Sequence, residues 1–182
     1  LDLLSGGRLE LGVGKGYRNN EFESFCIDPA QADARFEESL DLILKAFTSS
    51  ERFSHNGKYW KFKDIIVEPP PFQKPHPPIF LGGTDKNVFK RVVEWGDGWM
   101  PGATLEGVQR GRATLTELAE KAGRDPRSIE VLAFGRPGMF RDREEIKALE
   151  KAGVDHVTIW LNQGDGGGAI AEVEELARQL LP

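Results

Sequence analysis

Two glycine loops hold the residues best suited to chemistry. The first is Gly12-Val13-Gly14-Lys15-Gly16-Tyr17, and the second is Gly82-Gly83-Thr84. Glycine lets a backbone come close to a ligand, and a helix that follows such a loop offers amide hydrogens to a phosphate. Lys15 adds a cation and Thr84 a hydroxyl, so both loops suit an anionic ligand. Any tight strand-to-helix turn also requires glycine, so on glycine alone the plain-turn reading is the stronger one for each. Gly12, Gly14 and Gly16 recur at every second position, so the first loop is not a G-x-G-x-x-G dinucleotide fingerprint, and no GxxxxGK[ST] phosphate loop is present. A third cluster, Gly164-Asp165-Gly166-Gly167-Gly168, has no accompanying cation and reads as a flexible linker.

The remaining chemistry-bearing residues read more simply. Glu21 suits a surface ion pair with Arg18 or Arg35 at least as well as a ligand contact. Cys26 lies among Phe22, Phe25 and Ile27, which predicts a buried structural thiol. Trp99 and Met100 stand where a pocket wall would be, with burial in the core as their default reading. His55, His76 and His156 are far apart, and none has a metal-ligand spacing, so no metal site is expected. No Ser/His/Asp arrangement and no close pair of carboxylates stands out, so no catalytic residue is assigned.

Bulk properties narrow the class. The 182 residues suit one globular domain, 39% are apolar and 29% charged, and the formal net charge is −5. Lys and Arg are scattered rather than clustered, which gives nucleic-acid binding little electrostatic support. No apolar run approaches the ~20 residues that cross a bilayer, and no secretory signal opens the chain. A single cysteine excludes an intrachain disulfide and fits a reducing cytoplasm.

The elements that must position the two loops follow from periodicity. Leu1-Asp2-Leu3-Leu4 reads as a last helical turn stopped by Ser5-Gly6-Gly7. RLELGV at residues 8–13 reads as a strand entering the first loop. Residues 34–47 carry Phe36, Leu40, Ile43, Leu44 and Phe47 at helical spacing, with Asp33 as N-cap. Residues 52–62 read as a β-hairpin turning at Asn56-Gly57, a pair that accepts positive φ. Proline holds residues 68–78 extended. Ile79-Phe80-Leu81 is a short buried strand before the second loop. Helices follow at 86–95, 105–122, 143–152 and 169–181, and strands at 99–100, 130–134 and 156–161. The third of these helices opens with Asp142 and Glu145 set as a capping box. The last carries Ile170, Val173, Leu176, Ala177 and Leu180 on one face. Strand and helix thus alternate about five times, which means parallel strands covered by helices. Either an open doubly wound sheet or part of an eight-unit barrel satisfies this pattern, and in both, ligands sit at the carboxyl ends of the strands.

Several segments together are similar to one family. LDLLSGGRLELGVGKGYRNNEF, ARFEESLDLILKAF, ERFSHNGKYWKF, PPPFQKPHPPIFLGGT, EWGDGWMPG and AGVDHVTIWL resemble, in order, the luciferase-like flavin and F420 oxidoreductases, over nearly the whole chain. The resemblance implies an α/β fold, the (β/α)8 barrel, with residues 1–182 supplying strands four to eight of it and residues 51–63 a hairpin insertion. Five strands cannot close an eight-strand barrel, so the chain is expected to be part of a longer protein or to need a partner, associating as a homodimer. The family's cofactor is FMN or F420, bound at the strand carboxyl ends and acting on a small organic substrate. By resemblance Lys15, Gly16 and Tyr17 lie beside that cofactor, Lys15 toward its phosphate, and Gly82, Gly83 and Thr84 hold the phosphate through backbone amides. F420-dependent sugar-phosphate and alcohol dehydrogenases of this family often carry glutamate where this chain has Tyr17. That departure favours a monooxygenase or a general F420 reductase. The alternative is a family remnant that binds a cofactor or partner without turnover.

Overall fold

The computed structural model describes residues 1–102, 104–162 and 164–181. It divides into two compact units, Leu1–Pro78 and Ile79–Pro182. The fold is α/β, and its strand pairs are mostly parallel.

In the first unit, helix α1 (Asp2–Ser5) ends on Gly6 in the left-handed conformation, as Ser5-Gly6-Gly7 implies. The buried carboxylate of Asp2 accepts hydrogen bonds from the Gln73 backbone and side chain, both at 2.9 Å, which ties the proline-rich segment to the start of the chain. Strand β1 (Leu11–Val13) covers only the second half of RLELGV. Helix α2 (Asn19–Ser24) follows, then a 3-10 turn (Pro29–Gln31) and helix α3 (Ala32–Thr48). Asp28 caps the 3-10 turn by accepting from the Ala30 amide at 2.9 Å, and the chain runs from that turn directly into α3. Asp33 therefore lies inside the first turn of α3 and does not cap it, which corrects the sequence reading.

Strands β2 (Phe53–Asn56) and β3 (Lys61–Ile65) form an antiparallel hairpin in which Asn56 pairs with Lys61. Its connection is the four residues 57–60, not a two-residue turn, and neither Asn56 nor Gly57 has positive φ. Gly57 meets a different demand. A Cβ there would overlap the carboxylate of Glu38 and the ring of His55, so glycine is needed for close approach.

The second unit is a set of parallel strands. Strand β4 (Ile79–Gly82) pairs with β5 (Gly98–Met100), β5 with β6 (Glu130–Phe134), and β6 with β7 (His156–Thr158). Helices α4 (Lys86–Trp95), α5 (Leu105–Lys121), α6 (Arg143–Lys151) and α7 (Gly166–Leu180) alternate with these strands. Ile79, Phe80 and Leu81 are buried in succession, as expected of a strand covered on both faces. Where strands begin, carboxylates take up amides: Asp97 accepts from Ile79 and Asp155 from Val131, each at 2.8 Å.

Four expectations change, in whole or in part, in this unit. β7 ends at Thr158, so Trp160 and Leu161 lie beyond the ladder. Gly166, Gly167 and Gly168 are not a linker. They form the first turn of α7, where the Asp165 side chain accepts from the Gly168 amide. Of the apolar face expected on α7, Leu176 is buried, but Ile170 and Val173 are 64% and 51% exposed. At α6, Asp142 caps the helix as predicted, while Glu145 reaches back to the Arg141 amide, one residue before the box position. Among the described residues no helix is long and apolar enough to cross a membrane.

Candidate functional site

The first loop leaves the carboxyl end of β1 in the first unit. Lys15 is held by Asp33 of α3, with its ammonium 3.0 and 3.1 Å from the two carboxylate oxygens. The sequence reading gave that cation no carboxylate partner. Gly16 has φ +82°, and a Cβ there would press on the Phe22 ring, so this turn requires glycine. Tyr17 is exposed, and the Arg18 guanidinium stands over its ring 5.5 Å from the centroid. Glu21 makes the surface pair with Arg18 that the sequence suggested, at 3.5 Å. Cys26 is exposed, not buried, and its backbone is left-handed, with φ 53°.

Lys15 and Gly16 line a hollow of about 240 Å³ together with Gly14, Glu21 and Phe22. A larger cleft of about 470 Å³ opens beside β1, walled by Val13, Phe22, Ile27, Phe36, Leu40 and Trp60. That volume is in the range of small-molecule sites. Its Trp60 wall belongs to the hairpin, and the hairpin is fastened by one side chain that the sequence reading passed over. The Glu38 carboxylate accepts from the backbone amides of Lys58, Tyr59 and Trp60 at 2.9–3.2 Å and pairs with His55 Nε2 at 3.0 Å. The indole of Trp60 also donates to Ser39 Oγ at 3.0 Å, and Arg35 stacks on the Tyr59 ring, 4.5 Å from its centroid. One face of α3 thus carries Arg35, Glu38 and Ser39 at hairpin-gripping positions, spaced as neighbours on a helix surface.

The second loop leaves the carboxyl end of β4 in the second unit. Gly83 has φ +123°, and a Cβ there would crowd Val88, so glycine is required on both counts. Its carbonyl accepts from the indole of Trp99 at 2.7 Å, and its amide makes a long bond of 3.4 Å to the Met100 carbonyl. Trp99 is wholly buried, as its core reading predicts, and its one polar atom fixes the diglycine turn. Thr84 is exposed, and among the described residues neither its amide nor its hydroxyl has a partner. The start of α4 is less available to an anion, because the Asp85 side chain takes up the amides of Asn87 and Val88 at 2.8 and 3.1 Å.

Lys15, Gly16 and Tyr17 thus sit in the first unit, and Gly82, Gly83 and Thr84 in the second. Each set leaves the carboxyl end of a strand, as its sequence position implies. The same end of the second unit carries a further pair, Phe134 at the end of β6 and Trp160 just past β7, with ring centroids 5.8 Å apart. Among the described residues no three His, Cys, Asp or Glu side chains gather where they could hold a metal ion.

Residues 1–180 match the family profile described as luciferase-like monooxygenase. An FMNH2-dependent dimethylsulfone monooxygenase of Pseudomonas putida is 28% identical over 136 residues, which are 72% of this chain and 36% of that protein. An uncharacterized protein of Mycobacterium bovis is 29% identical over 182 residues, 99% of this chain and 62% of its own length. The chain therefore spans about a third to three fifths of the length of these relatives. Among solved structures, the coenzyme F420 dependent tetrahydromethanopterin reductase from Methanopyrus kandleri shares the fold, with a TM-score of 0.74 at 18% identity over 100% of this chain and 76% of that one.

Proposed function

Because the chain belongs to the luciferase-like monooxygenase family, we propose that it serves, as a whole or as part of a longer protein, in a flavin- or F420-dependent oxidoreductase acting on a small organic substrate. Its strands are read as strands four to eight of the family barrel, with residues 51–63 as an insertion and a homodimer as the working assembly. When bound, the flavin or deazaflavin ring supplies or takes up the electron pair that the reaction needs.

The residues present suit the phosphorylated tail of such a cofactor. Gly83 carries no side chain to block approach, and Thr84 offers an amide and a hydroxyl that nothing else engages among the described residues. That open turn, pinned from below by the Trp99 indole, is the observation that carries the assignment. Two or more hydrogen bonds to a dianion are strong ones. Asp85 consumes the first amides of α4, so the phosphate is assigned to the Thr84 side of the turn and not to the helix end. Gly82 and Gly83 shape the approach, and by family resemblance Lys15, Gly16 and Tyr17 are proposed as further cofactor contacts.

The Lys15 ammonium is shared with the Asp33 carboxylate, at 3.0 and 3.1 Å, which opposes its pairing with any bound anion. Removing the competing charge in Asp33→Asn should strengthen FMN binding by about threefold to tenfold, and Lys15→Met should weaken it by a similar factor. Weaker binding in Asp33→Asn would count against a phosphate role for Lys15. The wider proposal is tested by titrating the protein with FMN, riboflavin and F420. Micromolar binding of FMN or F420, with riboflavin at least about tenfold weaker, supports it, whereas flat titrations with both phosphorylated cofactors defeat it. Turnover with reductant, oxygen and a substrate panel then separates an enzyme from a protein that only binds.

A further inference from the structure

We propose that Phe134 and Trp160 form an aromatic platform that recognises a planar ring, of the substrate or of the redox cofactor, and so determines specificity; this rests on the reading that the strand carboxyl ends carry the site. Phe134 is the last residue of β6 and pairs across the ladder with Thr158, the last residue of β7. Trp160 follows two residues later. The two rings lie 5.8 Å apart between centroids at an interplanar angle of 55°, and the residues are 37% and 51% exposed. A large ring left half in water does little for folding.

The backbone beneath that ring is held with unusual care. Arg141 donates to the carbonyl of Trp160 and is ion-paired with Glu172 of α7. Both oxygens of Glu172 accept from the amide of Asn162, at 3.0 and 2.8 Å. These two charged side chains are 22% and 12% exposed, and the Arg141 Nε is buried with no acceptor among the described residues. Burying an ion pair and stranding a donor both oppose folding. An exposed indole whose following backbone is fixed by such a pair is arranged for a ligand, since a recognition surface works best when its supporting shell is fixed. β4 and β7 are three strand spacings apart, about 14 Å, so the platform and the Gly83 turn lie at opposite sides of one strand end. That spread suits a molecule with a phosphate at one end and a ring at the other. Planar π systems are the class selected, because tilted aromatic pairs favour ring faces and edges over saturated surfaces. Arg141 and Glu172 are positioning residues for Trp160.

The test is equilibrium binding of three probes to the 182-residue chain: 2-naphthol, lumichrome (a flavin ring without a phosphorylated tail) and cyclohexanol. The planar probes should bind and cyclohexanol should not. Trp160→Leu and Phe134→Leu should each weaken the affected planar probe by about tenfold, while Trp160→Phe stays within about threefold of the parent. Loss confined to 2-naphthol assigns the platform to a substrate ring, and loss confined to lumichrome assigns it to the cofactor ring. Glu172→Gln should weaken the same probe in the parent but add nothing in the Trp160→Leu background, an outcome that general destabilisation would not give. Circular dichroism checks folding, and Phe134→Leu gives the same readout if Trp160→Leu does not fold. Unchanged affinity in both Leu variants, or cyclohexanol binding as tightly as 2-naphthol, overturns the platform. FMN binding no tighter than lumichrome would instead defeat the phosphate reading and leave the platform standing.

Discussion

Trp99→Ala is expected to destabilise the unit formed by residues 79–182 by about 3–5 kcal/mol, near the upper end for a core truncation. Trp99 is wholly buried on β5 and packs edge-on against Phe89, with ring centroids 5.2 Å apart. Its far edge fills the space above Gly111 of α5, where any Cβ would overlap the ring. A methyl group fills little of that volume, so truncation opens a cavity. The same substitution removes the donor that holds the Gly83 carbonyl at 2.7 Å. Trp99→Phe keeps most of the volume and loses the hydrogen bond, so it should cost about 1–3 kcal/mol and loosen the diglycine turn. Urea denaturation of the three proteins measures both effects. A loss below about 1 kcal/mol for Trp99→Ala would mean that the indole does not fill the core in this way.

The second large effect concerns Glu38. Glu38→Ala should free the hairpin from α3, with amide exchange at residues 58–60 accelerating by on the order of tenfold or more. Three backbone donors and His55 converge on that one carboxylate, and none of the three amides would find a replacement from a methyl group. The anchor also responds to acid. Partial burial pushes the Glu38 carboxyl up, but the amides of Trp60 and Tyr59 and the His55 side chain outweigh it and hold its pKa below the ordinary glutamate value of 4.5. A group with a lowered folded pKa stabilises above its unfolded value and loses that contribution as pH falls through the folded one. Hairpin protection should therefore be steady above about pH 5 and decline below 4.5. Hydrogen exchange followed by mass spectrometry across that range checks the sign, and protection that increases toward acid would refute it. Trp60 walls the larger cleft, so the anchor links hairpin order to the shape of a cavity.

Much of this architecture could be read directly from the chain. The limits of β6 and α4 coincide with those read from periodicity, and Gly6 stops α1 as its sequence context implies. These are positions where one local signal dominates. The errors fall where a distant residue decides. Asn56-Gly57 carries the local signature of a tight turn, yet the glycine answers to a carboxylate nineteen positions earlier on α3. Asp33 has the residue type of an N-cap, but the 3-10 turn before it starts the helix early and leaves its carboxylate to Lys15. Cys26 has apolar neighbours in sequence, yet it is exposed and sits on a left-handed backbone that sequence neighbours do not announce. Ile170 and Val173 have the spacing of a buried stripe, and spacing reports a face without saying what covers it. The Phe134–Trp160 pair was hidden for a related reason, since HVTIWL looks like one continuous strand and the ladder ends midway through it.

The proposed cofactor site stands or falls with a phosphorylated tail at the turn of residues 82–84. Amide chemical-shift mapping of the isotopically labelled protein, titrated with FMN and separately with riboflavin, addresses it directly. The prediction is that the resonances of Gly83 and Thr84 move with FMN and stay still with riboflavin. Shifts that cluster away from those two amides, or that are the same for both molecules, would contradict it.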